Sequence, residues 1–119
     1  MELKEQKFGI EIEMTGITRA KAAEVTAEYF GTRVKYLGTY YDTYAAIDTE
    51  GRQWKFMSDS SITAQQKLNG RKISAGREYQ TEMVSPICRY EDIVTIQEII
   101  RKLKEYGALT NGSCGIHVH

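Results

Sequence analysis

The first clear pattern is a strict alternation. In Phe8-Gly9-Ile10-Glu11-Ile12-Glu13-Met14 the apolar Phe8, Ile10, Ile12 and Met14 share one side, and Gly9, Glu11 and Glu13 share the other. A period of two with one apolar face predicts a half-buried strand. Thr15-Gly16 interrupts it. Thr18 is a helix-capping residue type, small and apolar residues follow from Ala20 to Tyr29, and Gly31 is a natural stop, so a helix is expected over 19–30. A short strand is expected from Val34 to Leu37. The Tyr40, Tyr41, Tyr44 run leads into a second strand ending near Asp48. Asp48-Thr49-Glu50-Gly51 carries turn chemistry and Gln53–Met57 returns as a strand, which predicts a hairpin with Asp59 just past its end.

Residues 63–76 are polar and contain two glycines, Gly70 and Gly76, and read as one long loop. From Arg77 to Val84 the alternation resumes, with Tyr79, Thr81 and Met83 on one face and Glu78, Gln80, Glu82 and Val84 on the other; Pro86 ends this strand. Glu91 and Asp92 open a helix whose Ile93, Ile96, Ile99, Ile100 and Leu103 form one stripe and whose Arg101, Lys102 and Lys104 suit its C-terminal dipole. Cys114 to His119 alternates again and puts both histidines on one face. These elements predict an α+β fold: a mainly antiparallel, curved sheet with two helices on one face and the carboxylates and histidines on the other. The aromatic set Trp54, Phe56 and Tyr79 is expected in the core.

Composition narrows the function classes. The chain has 119 residues and one Pro, with no repeat or low-complexity segment, so residues 1–119 are expected to form a single domain. Sixteen basic residues balance sixteen acidic ones, which argues against nucleic acid as partner, because such binders carry a basic excess that displaces phosphate counterions. No apolar stretch approaches the roughly 20 residues that span a bilayer, and no signal-like segment follows Met1, so no membrane partner and a cytoplasmic location are expected. Cys88 and Cys114 are too few for a disulfide scaffold or a cysteine zinc site.

Three strands each offer ligand-type side chains on one face: Glu11 and Glu13, Glu82, and the His117-Val118-His119 pair. Each alone is an ordinary solvent-facing position. Successive same-face residues lie about 6.5–7 Å apart, however, so one cation is within reach of neighbouring strands. Carboxylates sharing a concave face repel one another unless cations neutralise them, and oxygen ligands suit Mg²⁺ or Mn²⁺ better than zinc. Metals held this way bridge phosphate oxygens in phosphoryl transfer. Arg71, Lys72 and Arg77 offer further positive charge, with a solvated basic loop as the alternative. Ser60, Ser61 and Cys114 lack a base at a known spacing, so no nucleophile is assigned.

Four blocks in order carry a family resemblance: Phe8-Gly9-Ile10-Glu11-Ile12-Glu13, Ser58-Asp59-Ser60-Ser61-Ile62, Glu82-Met83-Val84-Ser85-Pro86, and Asn111-Gly112-Ser113-Cys114-Gly115-Ile116-His117-Val118-His119. Together they resemble the amidoligases, members of the carboxylate–amine ligase superfamily that includes glutamine synthetase and gamma-glutamylcysteine ligase. The resemblance implies the N-terminal part of a glutamine synthetase-like fold. It implies metal ligation by Glu11, Glu13, Glu82 and His117, a place for His119 at the nucleotide, and a catalytic role for Glu82 and Asp59; Arg77, on its charge alone, is expected beside His119 as a nucleotide-binding group. The implied cofactors are Mg (or Mn) and ATP. The implied chemistry is attack of an amino acid or peptide carboxylate on the γ-phosphate, followed by displacement of phosphate from the acyl phosphate by an amine.

Family members continue past the His-x-His strand with further ligands and an arginine-bearing segment. The chain is therefore expected to be the N-terminal part of an amidoligase-like catalytic domain, completed by missing C-terminal residues, a second copy or a complementing subunit. Two competing expectations are a non-catalytic ligase-fold assembly module and a metal-dependent hydrolase that needs no nucleotide.

Overall fold

The computed structural model describes residues 6–119 and has an α+β architecture. Its strands are β1 (Ile10–Met14), β2 (Val34–Gly38), β3 (Thr43–Ile47), β4 (Gln53–Met57), β5 (Gln65–Leu68), β6 (Arg71–Ser74), β7 (Thr81–Val84) and β8 (Ile116–Val118); the helices are α1 (Arg19–Phe30) and α2 (Asp92–Glu105). Six strands form one sheet in the order β2-β3-β4-β7-β1-β8, every neighbouring pair antiparallel, while β5 and β6 pair only with each other. Among the described residues no helix is long and apolar enough to cross a membrane.

Register explains the two faces. Phe56 lies opposite Met83, Met83 opposite Ile12, and all three are buried with Trp54 and Met14 beneath the helices. Helix α1 approaches closely because Ala22, Ala23 and Ala27 face the sheet, and α2 adds Ile96, Ile99 and Leu103. Each large apolar side chain buried here contributes about 1.5–3 kcal/mol. The ends of α1 follow the sequence: the Thr18 hydroxyl accepts from the Lys21 N–H at 3.2 Å, and Gly31 terminates the helix at φ 71°. Gly16 has φ 80°, and a Cβ there would lie 2.2 Å from the Gly107 carbonyl oxygen. The absence of that Cβ lets the turn after β1 meet the end of α2.

Two expectations are corrected. Residues 63–76 are not a loop but hold the β5–β6 hairpin, turned at Asn69 (φ 50°) and Gly70 (φ 79°). Asn-Gly with two positive φ values is the turn that matches strand twist, and it overrides the polar composition around it. The strand expected from Arg77 begins only at Thr81, since Arg77–Tyr79 forms one turn of 3-10 helix. Its carbonyls have other partners: Arg77 and Gln80 accept from the Arg19 guanidinium, and Tyr79 accepts from the Thr15 hydroxyl. Tyr79 is accordingly half-buried, whereas Trp54 and Phe56 are in the core as expected.

Candidate active site

On the sheet face away from the helices, side chains stand in rows across the strands. Met57, Glu82 and Glu13 are successive cross-strand neighbours, and one row further along β1 Glu11 lies between Val84 and His117. Asp59 follows β4 in an Asx turn: its carboxylate accepts from the Ser61 N–H at 2.9 Å and the Ser61 hydroxyl at 2.6 Å. Buried Ile62 anchors this turn to the body of the protein. The result is a cluster in which Glu13, Asp59 and Glu82 each bring an oxygen within 4.8 Å of the others.

Further contacts fix Glu13. The Gly115 N–H donates to its Oε1 at 2.8 Å, and the Ser61 hydroxyl lies 3.5 Å from its Oε2. A Cβ at position 115 would sit 3.4 Å from that same Oε1, so glycine lets the backbone approach the carboxylate. The Asn111 and Ser113 side chains bond the backbone of Thr63, at 2.9 and 2.8 Å, tying the segment before β8 to the segment after Asp59. The Ser85 hydroxyl accepts from the Ile10 N–H at 2.9 Å. All four blocks that carry the family resemblance thus converge on this end of the sheet.

Electrostatics set the cluster apart. Burial, together with the charges of Asp59, Glu11 and Glu13, pushes the Glu82 carboxyl up to about 7. Glu13 is also raised, first by sharing a hydrogen bond with Asp59 and then by burial, against the opposing Gly115 contact. Burial acts on Asp59 in the same direction, but the Ser61 hydroxyl, Glu13 and the Ser61 N–H outweigh it and keep Asp59 below the ordinary range. Three carboxylates so close cannot all ionise without compensation. Among the described residues no lysine or arginine lies within ion-pair distance of any of them. An all-oxygen donor set short of positive charge fits a hard divalent cation such as Mg²⁺ or Mn²⁺.

The expected residues divide into three groups. Glu13 and Glu82 belong to the oxygen cluster, together with Asp59. Glu11 and His117 form the adjoining row, and the His119 Nε2 lies 3.4 Å from Glu11 Oε2. Arg77 is elsewhere, in the turn before β7, at the opposite end of the stripe from His119, whose backbone pairs with Gly9. From Gly9 to Thr15, beside which the Arg77 turn lies, is six residues or about 20 Å of strand. Arg71 and Lys72 extend along the β5–β6 hairpin, exposed.

Sequence reasoning missed Ser61 and the Gly115 N–H, which act only through the folded neighbourhood of Asp59 and Glu13. It also missed a cleft of about 750 Å³ beside the cluster, lined by Glu82, Asp59, Met57, Tyr40, Tyr41 and Arg77 among others. One wall is the turn between β2 and β3. Thr39 (φ 64°) and Asp42 (φ 50°) both take left-handed backbone there, at about 1–2 kcal/mol each for residues with a Cβ. Buried Arg19 holds that turn, its Nη2 3.1 Å from Asp42 Oδ2 and its Nη1 on the carbonyls of Arg77 and Gln80. The Tyr36 hydroxyl donates to Asp42 at 2.7 Å, and the Ser58 N–H donates to the Tyr41 carbonyl at 2.9 Å. Tyr36 and Arg19 together keep Asp42 below the ordinary carboxylate range.

The family model described as "Putative amidoligase enzyme" matches residues 4–119. No curated protein and no solved structure matches the chain.

Proposed function

The chain belongs to the amidoligase family, and from that premise we propose that its acidic stripe serves an ATP- and Mg²⁺-dependent carboxylate–amine ligation. The observation that supports this most is the cross-strand pair Glu13–Glu82 with Asp59 inside 4.8 Å, raised in proton affinity and without a basic partner among the described residues. Glu13, Glu82 and Asp59 would hold one cation, with Glu11 and His117 in the adjoining row. Magnesium supplies neutralisation of charge on the phosphoryl oxygens.

In this reading His119, beside Glu11, faces the nucleotide phosphates. The substrate carboxylate attacks the γ-phosphorus, the bond to the ADP oxygen breaks, and an acyl phosphate forms. The amine then attacks the acyl carbon and inorganic phosphate leaves. Of the two protons that the ammonium loses on becoming an amide nitrogen, one passes to a neighbouring carboxylate and the other leaves on the inorganic phosphate. Asp59, kept below the ordinary carboxylate range by Ser61, would orient the incoming ammonium before it loses the first of these protons.

The test is calorimetric titration with a non-hydrolysable ATP analogue, with and without Mg²⁺, beside Glu11→Gln and Glu82→Gln. Magnesium-dependent binding that both variants lose is the expected outcome. Metal binding with no nucleotide binding would replace the ligase by a metal-dependent hydrolase, and binding of neither would leave a non-catalytic ligase-fold module.

A further inference from the structure

The cleft between the Tyr40–Tyr41 turn and Arg77 has two chemical poles. Asp59 and Glu82 line it at the end that meets the acidic stripe, and Arg77 lines it where the chain enters β7. The other two charged groups in its wall are committed: Arg19 to Asp42 and to two backbone carbonyls, Asp42 to Arg19 and Tyr36. Arg77 is exposed and, among the described residues, has no carboxylate within ion-pair distance. The same cleft is lined by two tyrosines with ring centroids 5.4 Å apart and planes at 86°. Tyr40 is 94% exposed and Tyr41 51%, on a turn that spends two left-handed residues and a buried arginine on holding its shape. Exposed aromatic rings on a rigid turn offer contact area and a cation-attracting face at little cost in ordering.

We propose that this cleft takes an amine substrate that carries its own carboxylate, of amino-acid or short-peptide size, with its ammonium toward Asp59 and Glu82, its carboxylate on Arg77 and its body against Tyr40 and Tyr41. The proposal rests on the ligase reading for the fate of the amine, but the binding it describes is independent of nucleotide chemistry. A volume of about 750 Å³ falls within the range of small-molecule sites and is far larger than ammonia requires. A guanidinium is the side chain best matched to a carboxylate, through two parallel hydrogen bonds. Arg77 therefore serves the amine's anionic group here, while His119, at the far end of the stripe, is left to the nucleotide.

Amide-resolved NMR titration of the full chain, with and without the magnesium–ATP analogue, separates the outcomes. The probes are L-phenylalanine, phenethylamine, which lacks the carboxylate, and N-acetyl-L-phenylalanine, which lacks the ammonium. Phenylalanine is expected to shift the amides of Tyr40, Tyr41, Ser58 and Arg77, and each truncated probe to bind at least about tenfold more weakly, the worth of one charge-assisted contact. Arg77→Gln should weaken phenylalanine by a similar factor while leaving phenethylamine unaffected; Tyr40→Ala should weaken both. Neither side chain is buried, so both variants are expected to fold. Equal binding of phenylalanine and phenethylamine would overturn the carboxylate site, and no response in the cleft to any probe, under either condition, would overturn the whole inference. Nucleotide binding on the Glu11–His119 side with a silent cleft would defeat this inference and spare the ligase reading. A responsive cleft with no nucleotide binding would support the inference and defeat that reading.

Discussion

The molecule contains two groups of acidic side chains that have been given opposite treatment. Asp48 and Asp92 are buried around Arg52. Asp48 accepts from the Glu50 and Arg52 backbone, from Arg52 Nε at 2.8 Å and from Trp54 Nε1 at 3.0 Å; Asp92 accepts both terminal nitrogens of Arg52 and the Arg89 N–H. Every acid there has donors and a cation. Asp92 is lowered first by its Arg52 contact, and Asp48 is lowered by its Trp54 and backbone donors, which outweigh burial. The Glu13, Asp59, Glu82 cluster has backbone and hydroxyl donors but, among the described residues, no lysine or arginine within ion-pair distance, and two of its three acids are raised. The first arrangement holds the β3–β4 hairpin to the start of α2. The second leaves charge uncompensated where a ligand can compensate it. A shifted carboxyl is informative only with its sign: downward marks an acid the fold has satisfied, upward one whose partner the fold does not supply.

The largest expected effect breaks the satisfied group. Arg52→Ala leaves two buried carboxylates without their cation and should destabilise the fold by about 3–5 kcal/mol in chemical denaturation. Binding of a cation to the other cluster should do the reverse. Magnesium at one hundred times its dissociation constant would stabilise the wild type by about 2.7 kcal/mol, read as a rise in Tm, and Glu82→Gln should remove most of that gain.

The two groups should also respond to pH with opposite sign. Glu82 has its folded pKa raised from 4.5 to about 7, so its contribution is fully present below 4.5 and is lost as pH rises toward 7. Asp48 and Asp92 have lowered folded values, so their contribution is present above 3.8 and is lost as pH falls below it. Metal-free stability should therefore peak in mildly acidic solution, and Glu82→Gln should flatten the decline on the alkaline side by about 1–2 kcal/mol. The smallest effect should come from Ser61→Ala. It removes donors from Asp59, so magnesium affinity should fall a few-fold while stability changes by about 1 kcal/mol or less.

Where the sequence and the structure agree, the cause is local. The alternation over β1, the Thr18 and Gly31 ends of α1, and the Asp48–Gly51 turn each depend on residues within a few positions of one another. The shared face of Glu11, Glu13, Glu82 and His117 was legible as well, because strand parity alone assigns it. What was not legible depends on distant partners. The turn at Arg77–Tyr79 exists because Arg19 and Thr15 take its carbonyls from 58 to 64 positions away. Asp59 enters the oxygen cluster because its turn folds back beside β7, and nothing within the Ser58–Ile62 block specifies that neighbour. The β5–β6 hairpin is the exception: its Asn-Gly signal was local, and the polar residues around it obscured it.

Strand β8 has one neighbour among the described residues, β1, and Ile116 and Val118 are 63% and 65% exposed, whereas β7 lies between β4 and β1 over a buried Met83. The two walls of the stripe are therefore held by unequal amounts of buried surface among the described residues. Edge strands with little buried surface detach at a small fraction of the global unfolding free energy. The amides of β8 should exchange with solvent long before those of β7. A ligand arriving at the stripe meets one wall, the carboxylate strand β7, packed from both sides, and another, the histidine strand β8, paired on one side among the described residues.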